Sequence, residues 1–311
     1  MAHVTFIHGI ANKPPQDVLL RQWRDALTRA TEPLPLGDLG VTSSMVYWAD
    51  FLYAAPDPDE SAHEGVLENT PSALDAAGGA PPPEGQTAEE AAFIEALRAR
   101  MTTLSDAEIE TAPPGLPAEP GGALERVPLP WPLKKAFLNT FLRDVHHYLF
   151  DVEFAPPGKP AVPIQQAIRK RFVEALSAPT VTRPHVVVAH SMGTVIAYDC
   201  LKRVANCPAV DGFITVGSPL GLDEVQDKLQ PGWSRTDGYP GEKLARRWLN
   251  AFDRLDPVCG LDPSLADDFQ QRNAAAVNDV AVQNGGVWRH SSIKYLGQPE
   301  ICTALRQLLG V

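Results

Sequence analysis

His185-Val186-Val187-Val188-Ala189-His190-Ser191-Met192-Gly193-Thr194-Val195-Ile196 is the stretch on which the fold turns. Its three consecutive valines read as a buried strand, and the pattern from Gly193 to Val204 reads as a helix. A strand that passes into a helix across a single serine makes a sharp turn. Such a turn pushes the Ser191 hydroxyl out at the carboxyl edge of a sheet and strains its backbone. The residues two before and two after it must then be small, as Ala189 and Gly193 are. Met192 opens the helix, where the dipole and the free N–H groups favour an anion.

Outward from this point, short apolar runs alternate with helical patterns. Val4 to Ile7 reads as a strand ending at His8-Gly9-Ile10, and Val18, Leu19, Leu20, Trp23 and Leu27 fall at helical spacing behind it. Val41 to Trp48 reads as a second strand. Later come a helix over Ile164 to Leu176, strands over Gly212 to Val216, Arg247 to Phe252 and Val280 to Gln283, and a closing helix over Pro299 to Leu309. The alternation predicts an α/β fold, with a mostly parallel sheet and helices on both faces.

Between the early and late strands the composition shifts. Residues 51–130 hold twelve prolines and fifteen acidic residues against three basic ones, so much of this stretch cannot form regular ladders. One helix stands out within it and another follows it. Thr87 and Glu90 form a capping-box pattern ahead of Phe93, Ile94, Leu97, Met101 and Leu104, and Phe137, Leu138, Phe141, Leu142, Val145 and Leu149 mark a second stripe. Residues 51–160 are read as an insertion, and residues 1–50 and 161–311 as one core.

Ala189-His190-Ser191-Met192-Gly193 resembles the G-x-S-x-G nucleophile elbow of α/β-hydrolase esterases and lipases, with alanine in place of the first glycine. Phe6-Ile7-His8-Gly9-Ile10 resembles the H-G loop of the same superfamily. The resemblance implies Ser191 as nucleophile and the Ile10 and Met192 amides as the oxyanion hole. It also implies the chain order serine, acid, histidine. Beyond the elbow the only histidine is His290, which makes it the expected base. For the acid, Asp256, followed by Pro257-Val258, is the first choice and Asp253 the alternative. The expected fold is an α/β-hydrolase sheet that lacks the first strands, with the insertion as a lid.

The function implied is hydrolysis of a carboxylic ester, lipid-like esters included, through an acyl-enzyme. A thioesterase or acyltransferase would use the same residues. A non-catalytic interaction protein is the reading from another class, and the intact serine, acid and histidine weigh against it. Ser218 in Val216-Gly217-Ser218-Pro219 reads as a turn residue. His146-His147 lie on different faces of a helix, so they do not chelate.

Other features bound the answer. A net charge of −11 opposes binding to nucleic acid or to an anionic membrane surface. No apolar run approaches the roughly 18 residues of a membrane span, and no charged leader with a long apolar stretch opens the sequence. The expectation is therefore a cytoplasmic protein without stable membrane insertion. Cys200, Cys207, Cys259 and Cys302 are expected as reduced core thiols. No metal-binding, Walker or dinucleotide motif occurs, so neither cofactor nor metal is implied. The sequence does not fix the oligomeric state.

Overall fold

The computed structural model describes residues 2–58, 87–102, 131–285 and 288–311. Strand β1 (His3–Ile7) leads to helix α1 (Gln16–Arg29) and strand β2 (Thr42–Val46). Helices α2 (Ala88–Thr102) and α3 (Trp131–Leu149), a small hairpin of β3 (Glu153–Phe154) and β4 (Val162–Pro163), and helix α4 (Ile164–Leu176) come next. The chain then runs through β5 (His185–His190), α5 (Met192–Arg203), β6 (Val210–Val216), α6 (Asp223–Asp227), β7 (Leu244–Phe252), β8 (Val277–Ala281), α7 (Ser292–Leu296) and α8 (Pro299–Leu309).

The main sheet has the order β2-β1-β5-β6-β7-β8, and all five of its pairings are parallel. Every strand therefore delivers its following loop to the same edge. The strand order reverses between β1 and β5, and in open parallel sheets the crevice at such a reversal is where ligands bind. Both faces are covered, as parallel strands require. Val4, Phe6, Val186, Val188, Ile214 and Val216 pack under α1, α7 and α8. The alternate positions, Ile7, Val187, Ala189, Phe213 and Trp248, face a second core built from α4 and α5. The valine run is thus buried on both sides, which is why it lacks the polar alternation of a half-exposed strand.

Helices α2 and α3 join that second core through Phe93, Leu97, Phe141, Leu142 and Val145. The Thr87 hydroxyl accepts the Glu90 amide at 3.2 Å, which is half of the expected capping box. Leu104, predicted in the same stripe, lies outside the described residues.

Strand boundaries differ from expectation by up to three residues. β8 begins at Val277 rather than Val280, because its polar middle carries a tie: the Asp279 carboxylate accepts the amides of Leu265 and Ala266, the Ser264 hydroxyl and the Asn250 side chain. Helices α6 and α7 are five residues each, too short for a periodic signal. All four cysteines are free and buried. Among the described residues, no helix is long and apolar enough to cross a membrane.

Candidate active site

Ser191 sits between the end of β5 and the start of α5 with φ 54° and ψ −130°, a conformation rare for a residue with a side chain. Neighbouring elements hold it there. Its amide donates to the Val216 carbonyl of β6 at 3.1 Å. Its carbonyl accepts the Thr194 amide at 2.9 Å and the Thr194 hydroxyl at 2.7 Å. The Ser218 hydroxyl meets the Thr194 hydroxyl at 2.7 Å and accepts the Leu220 amide, so the Gly217-Ser218-Pro219 turn braces the elbow from behind.

Although Ser191 occupies the cap position of α5, its side chain makes no capping bond. The hydroxyl instead lies 2.8 Å from His290 Nε2. The other ring nitrogen, Nδ1, is 2.9 Å from both oxygens of Asp256. Asp256 also accepts the Tyr295 hydroxyl at 2.7 Å and the Val258 amide at 2.8 Å. Burial pushes its carboxyl up, but the His290 ring and these hydrogen bonds outweigh that and hold it below the usual carboxylate range. Ser191, His290 and Asp256 are all buried. The loops after β5, β7 and β8 thus bring the three together at the shared edge.

Asp253 lies elsewhere. Its carboxylate accepts the amides of Leu255 and Asn284 and the Arg289 guanidinium, the last at 3.1 Å. The Asn284 side chain in turn donates to the Arg289 carbonyl at 2.7 Å. Asp253 therefore anchors both ends of the loop that carries His290 without touching the imidazole. Sequence reading missed Tyr295, whose hydroxyl donates to Asp256 and accepts the Asp253 amide at 3.0 Å. Its place five residues after His290 is the one signal for it, and that spacing alone is uninformative.

The H-G loop comes close. A Cβ on Gly9 would stand 2.6 Å from the Ser191 Cβ, and one on Gly193 would stand 2.6 and 2.7 Å from the His8 and Ile7 carbonyl oxygens. Both positions need glycine, Gly193 because the end of β1 meets it with backbone atoms and Gly9 because the Ser191 side chain stands against it. His8 stacks on Trp48, with ring centroids 4.9 Å apart. Its Nδ1 donates to the Gly9 carbonyl at 2.8 Å, which leaves Nε2 to accept the Trp48 amide at 3.0 Å. Those bonds make it a fully engaged neutral ring, and burial lowers its pKa well below the ordinary value.

His190 is tied to the backbone of the histidine loop. Its Nε2 donates to the His290 carbonyl at 3.0 Å, and burial keeps the ring neutral. Phe137 of α3 stands edge-on to Trp288, centroids 5.0 Å apart, and 5.9 Å from the His290 ring. His146 and His147 are buried, the first against Glu90 and Phe150 and the second against Phe154. Among the described residues, no group of three or more His, Cys, Asp or Glu is placed to hold a metal.

No protein-family model matches this chain, and no curated protein matches it. Among solved structures it is similar to acetyl xylan esterase 1 from Thermoanaerobacterium sp. JW/SL YS485. That match has 12% identity and a TM-score of 0.32, over 91% of this chain and 70% of the esterase. It is also similar to an uncharacterized protein from Pseudomonas aeruginosa, with 10% identity and a TM-score of 0.26 over 82% of this chain and 35% of that one. Likenesses this loose say nothing of chemistry.

Proposed function

We propose that this protein is a serine hydrolase that cleaves carboxylic esters through an acyl-enzyme on Ser191. The observation that carries the reading is one imidazole held between a strained, uncapped serine hydroxyl and a buried, ionised carboxylate. The Ser191 hydroxyl donates to His290 Nε2, and His290 Nδ1–H donates to Asp256. As Oγ attacks the ester carbonyl carbon, its proton passes to Nε2, and Asp256 stabilises the imidazolium that forms. The carbonyl oxygen gains the displaced electron pair and turns toward the Ile10 and Met192 amides, one after β1 and the other at the α5 N-terminus. Collapse breaks the bond to the alkoxy oxygen, which leaves as the alcohol with the proton from Nε2. Water, deprotonated by His290, then releases the acid and restores Ser191.

The surroundings favour an apolar acyl group. Phe137 and Trp288 pack against His290, and Ile10, Met192, Leu220 and Val258 belong to the core that meets the site. In this reading α3, part of the insertion, covers the nucleophile. A fluorophosphonate probe tests the proposal: it should label the intact protein on Ser191, and Ser191→Ala should abolish both labelling and turnover of a 4-nitrophenyl ester. A wild-type protein that neither labels nor hydrolyses any ester in a panel of graded chain length would overturn it.

A further inference from the structure

The loop after β1 makes a contact that neither its own motif nor the elbow accounts for. The Ala11 amide donates to Asp144 Oδ2 at 2.9 Å, 133 positions away on α3. The Asp144 side chain is wholly buried, and its other oxygen takes the Arg143 guanidinium at 2.9 and 2.6 Å. Arg143 lies over the Tyr53 ring, 4.8 Å from its centroid, and also donates to the Tyr53 hydroxyl. Ala11 has φ 71°, in the left-handed region that a residue with a Cβ avoids.

These bonds act on the peptide units flanking Ile10. In a trans peptide the C=O and N–H point in opposite directions. His8 Nδ1 holds the Gly9 carbonyl, so the Ile10 N–H of the same unit is turned the other way. Asp144 holds the Ala11 N–H of the next unit, so the Ile10 carbonyl is fixed as well. With both units pinned, the backbone at Ile10 has no freedom to rotate its amide. His8 supplies one pin from within the motif and α3 supplies the other.

We infer that Asp144 is a positioning residue for the oxyanion donor at Ile10, so that the region between β2 and α4 forms part of the reaction machinery besides covering it. This rests on the serine-hydrolase reading. Asp144 does not reach the reacting atoms; it acts by accepting one backbone proton. Without that acceptor the Ala11 amide loses its partner on α3, and the Ile10 amide loses one of the two bonds that fix its direction.

The test compares two full-length double variants of equal charge, Arg143→Leu with Asp144→Asn and Arg143→Leu with Asp144→Leu. They differ in whether position 144 can accept the Ala11 N–H. Turnover of 4-nitrophenyl butyrate is measured per site titrated by fluorophosphonate, so misfolded molecules do not count. The variant carrying Asp144→Leu should lose kcat by about 100- to 1000-fold, as when one oxyanion donor is removed, with KM changed less than about threefold. The variant carrying Asp144→Asn should retain at least about ten times the kcat of the other. Equal kcat in the two variants would overturn the inference while leaving the hydrolase reading intact. If wild type itself neither labels nor turns over, both fall together. Hydrogen exchange on wild type gives a check that needs no variant: the Ala11 amide should be protected well beyond an ordinary loop amide, and exchange at the free-peptide rate would end the proposal.

Discussion

Asp253 and Asp256 stand three positions apart in one loop, and their surroundings push their charges in opposite directions. Burial raises both carboxyls. At Asp256 the imidazole, the Tyr295 phenol and the Val258 amide more than offset it; at Asp253 burial prevails over the Leu255 and Asn284 amides and Arg289. The proposed roles predict separate outcomes. Asp256→Asn should lower kcat by roughly 1,000- to 10,000-fold, because it removes the charge that stabilises imidazolium and the acceptor that sets the tautomer. Asp253→Asn should lower kcat less than about tenfold while costing about 1–3 kcal/mol of stability, since Arg289 and a main-chain amide lose a buried carboxylate partner. Steady-state kinetics and thermal melts of both variants check this, and the reverse ranking would exchange the two assignments. Sequence alone left the pair open, because both follow β7 at distances that suit the acid. Which one meets His290 depends on where the chain after β8 places that ring, and contacts distant in sequence set that position.

At the scale of elements, β1 and α5 approach each other closely enough to exclude any side chain at Gly193. Gly193→Ala would drive a methyl group to 2.6 Å from the His8 carbonyl oxygen, a backbone atom that no rotamer change can move aside. The strand end must then move, taking Gly9 and Ile10 away from Ser191. The expected loss is about 100-fold in kcat with KM little changed, and an unimpaired variant would show that the approach is not needed. Helix α3 gives the opposite kind of prediction. Phe137→Ala removes the ring that packs on Trp288 and His290 and should speed fluorophosphonate labelling several-fold, at a stability cost of about 3–5 kcal/mol. If labelling does not accelerate, α3 is packing rather than a cover. The strand-turn-helix at Ser191 was legible because buried valines and a helical stripe flank a single residue. The start of β8 was hidden because Asn278 and Asp279 are polar residues serving a loop, and the β3–β4 hairpin, two residues a side, is too short to carry a pattern.

At the scale of the whole molecule, the histidines among the described residues are packed rather than solvated, which sequence does not reveal because a core ring and a surface ring are the same letter. His3, His8, His146, His147, His185 and His190 all have their pKa lowered, chiefly by burial, and His147 and His185 come down to about 4. The sign follows from linkage. Below about pH 6.5 the unfolded chain takes up protons at these rings before the folded one does, so stability is full at neutral pH and falls as pH drops toward the folded values. At pH 5, His147 and His185 each contribute a loss of about 2 kcal/mol, against a typical total of about 5–15 kcal/mol. Asp262, raised to about 6 by burial and by Asp268, works the other way and offsets part of the loss. The depressed Asp256 adds its own loss only at lower pH, near and below the ordinary carboxylate range. A melt at pH 5 should therefore lie several degrees below one at pH 7.5. His185→Gln, which can still hydrogen-bond Thr5 but cannot titrate, should flatten that slope. A melting temperature that stays level between the two pH values would mean that these rings protonate in the folded protein as readily as in water.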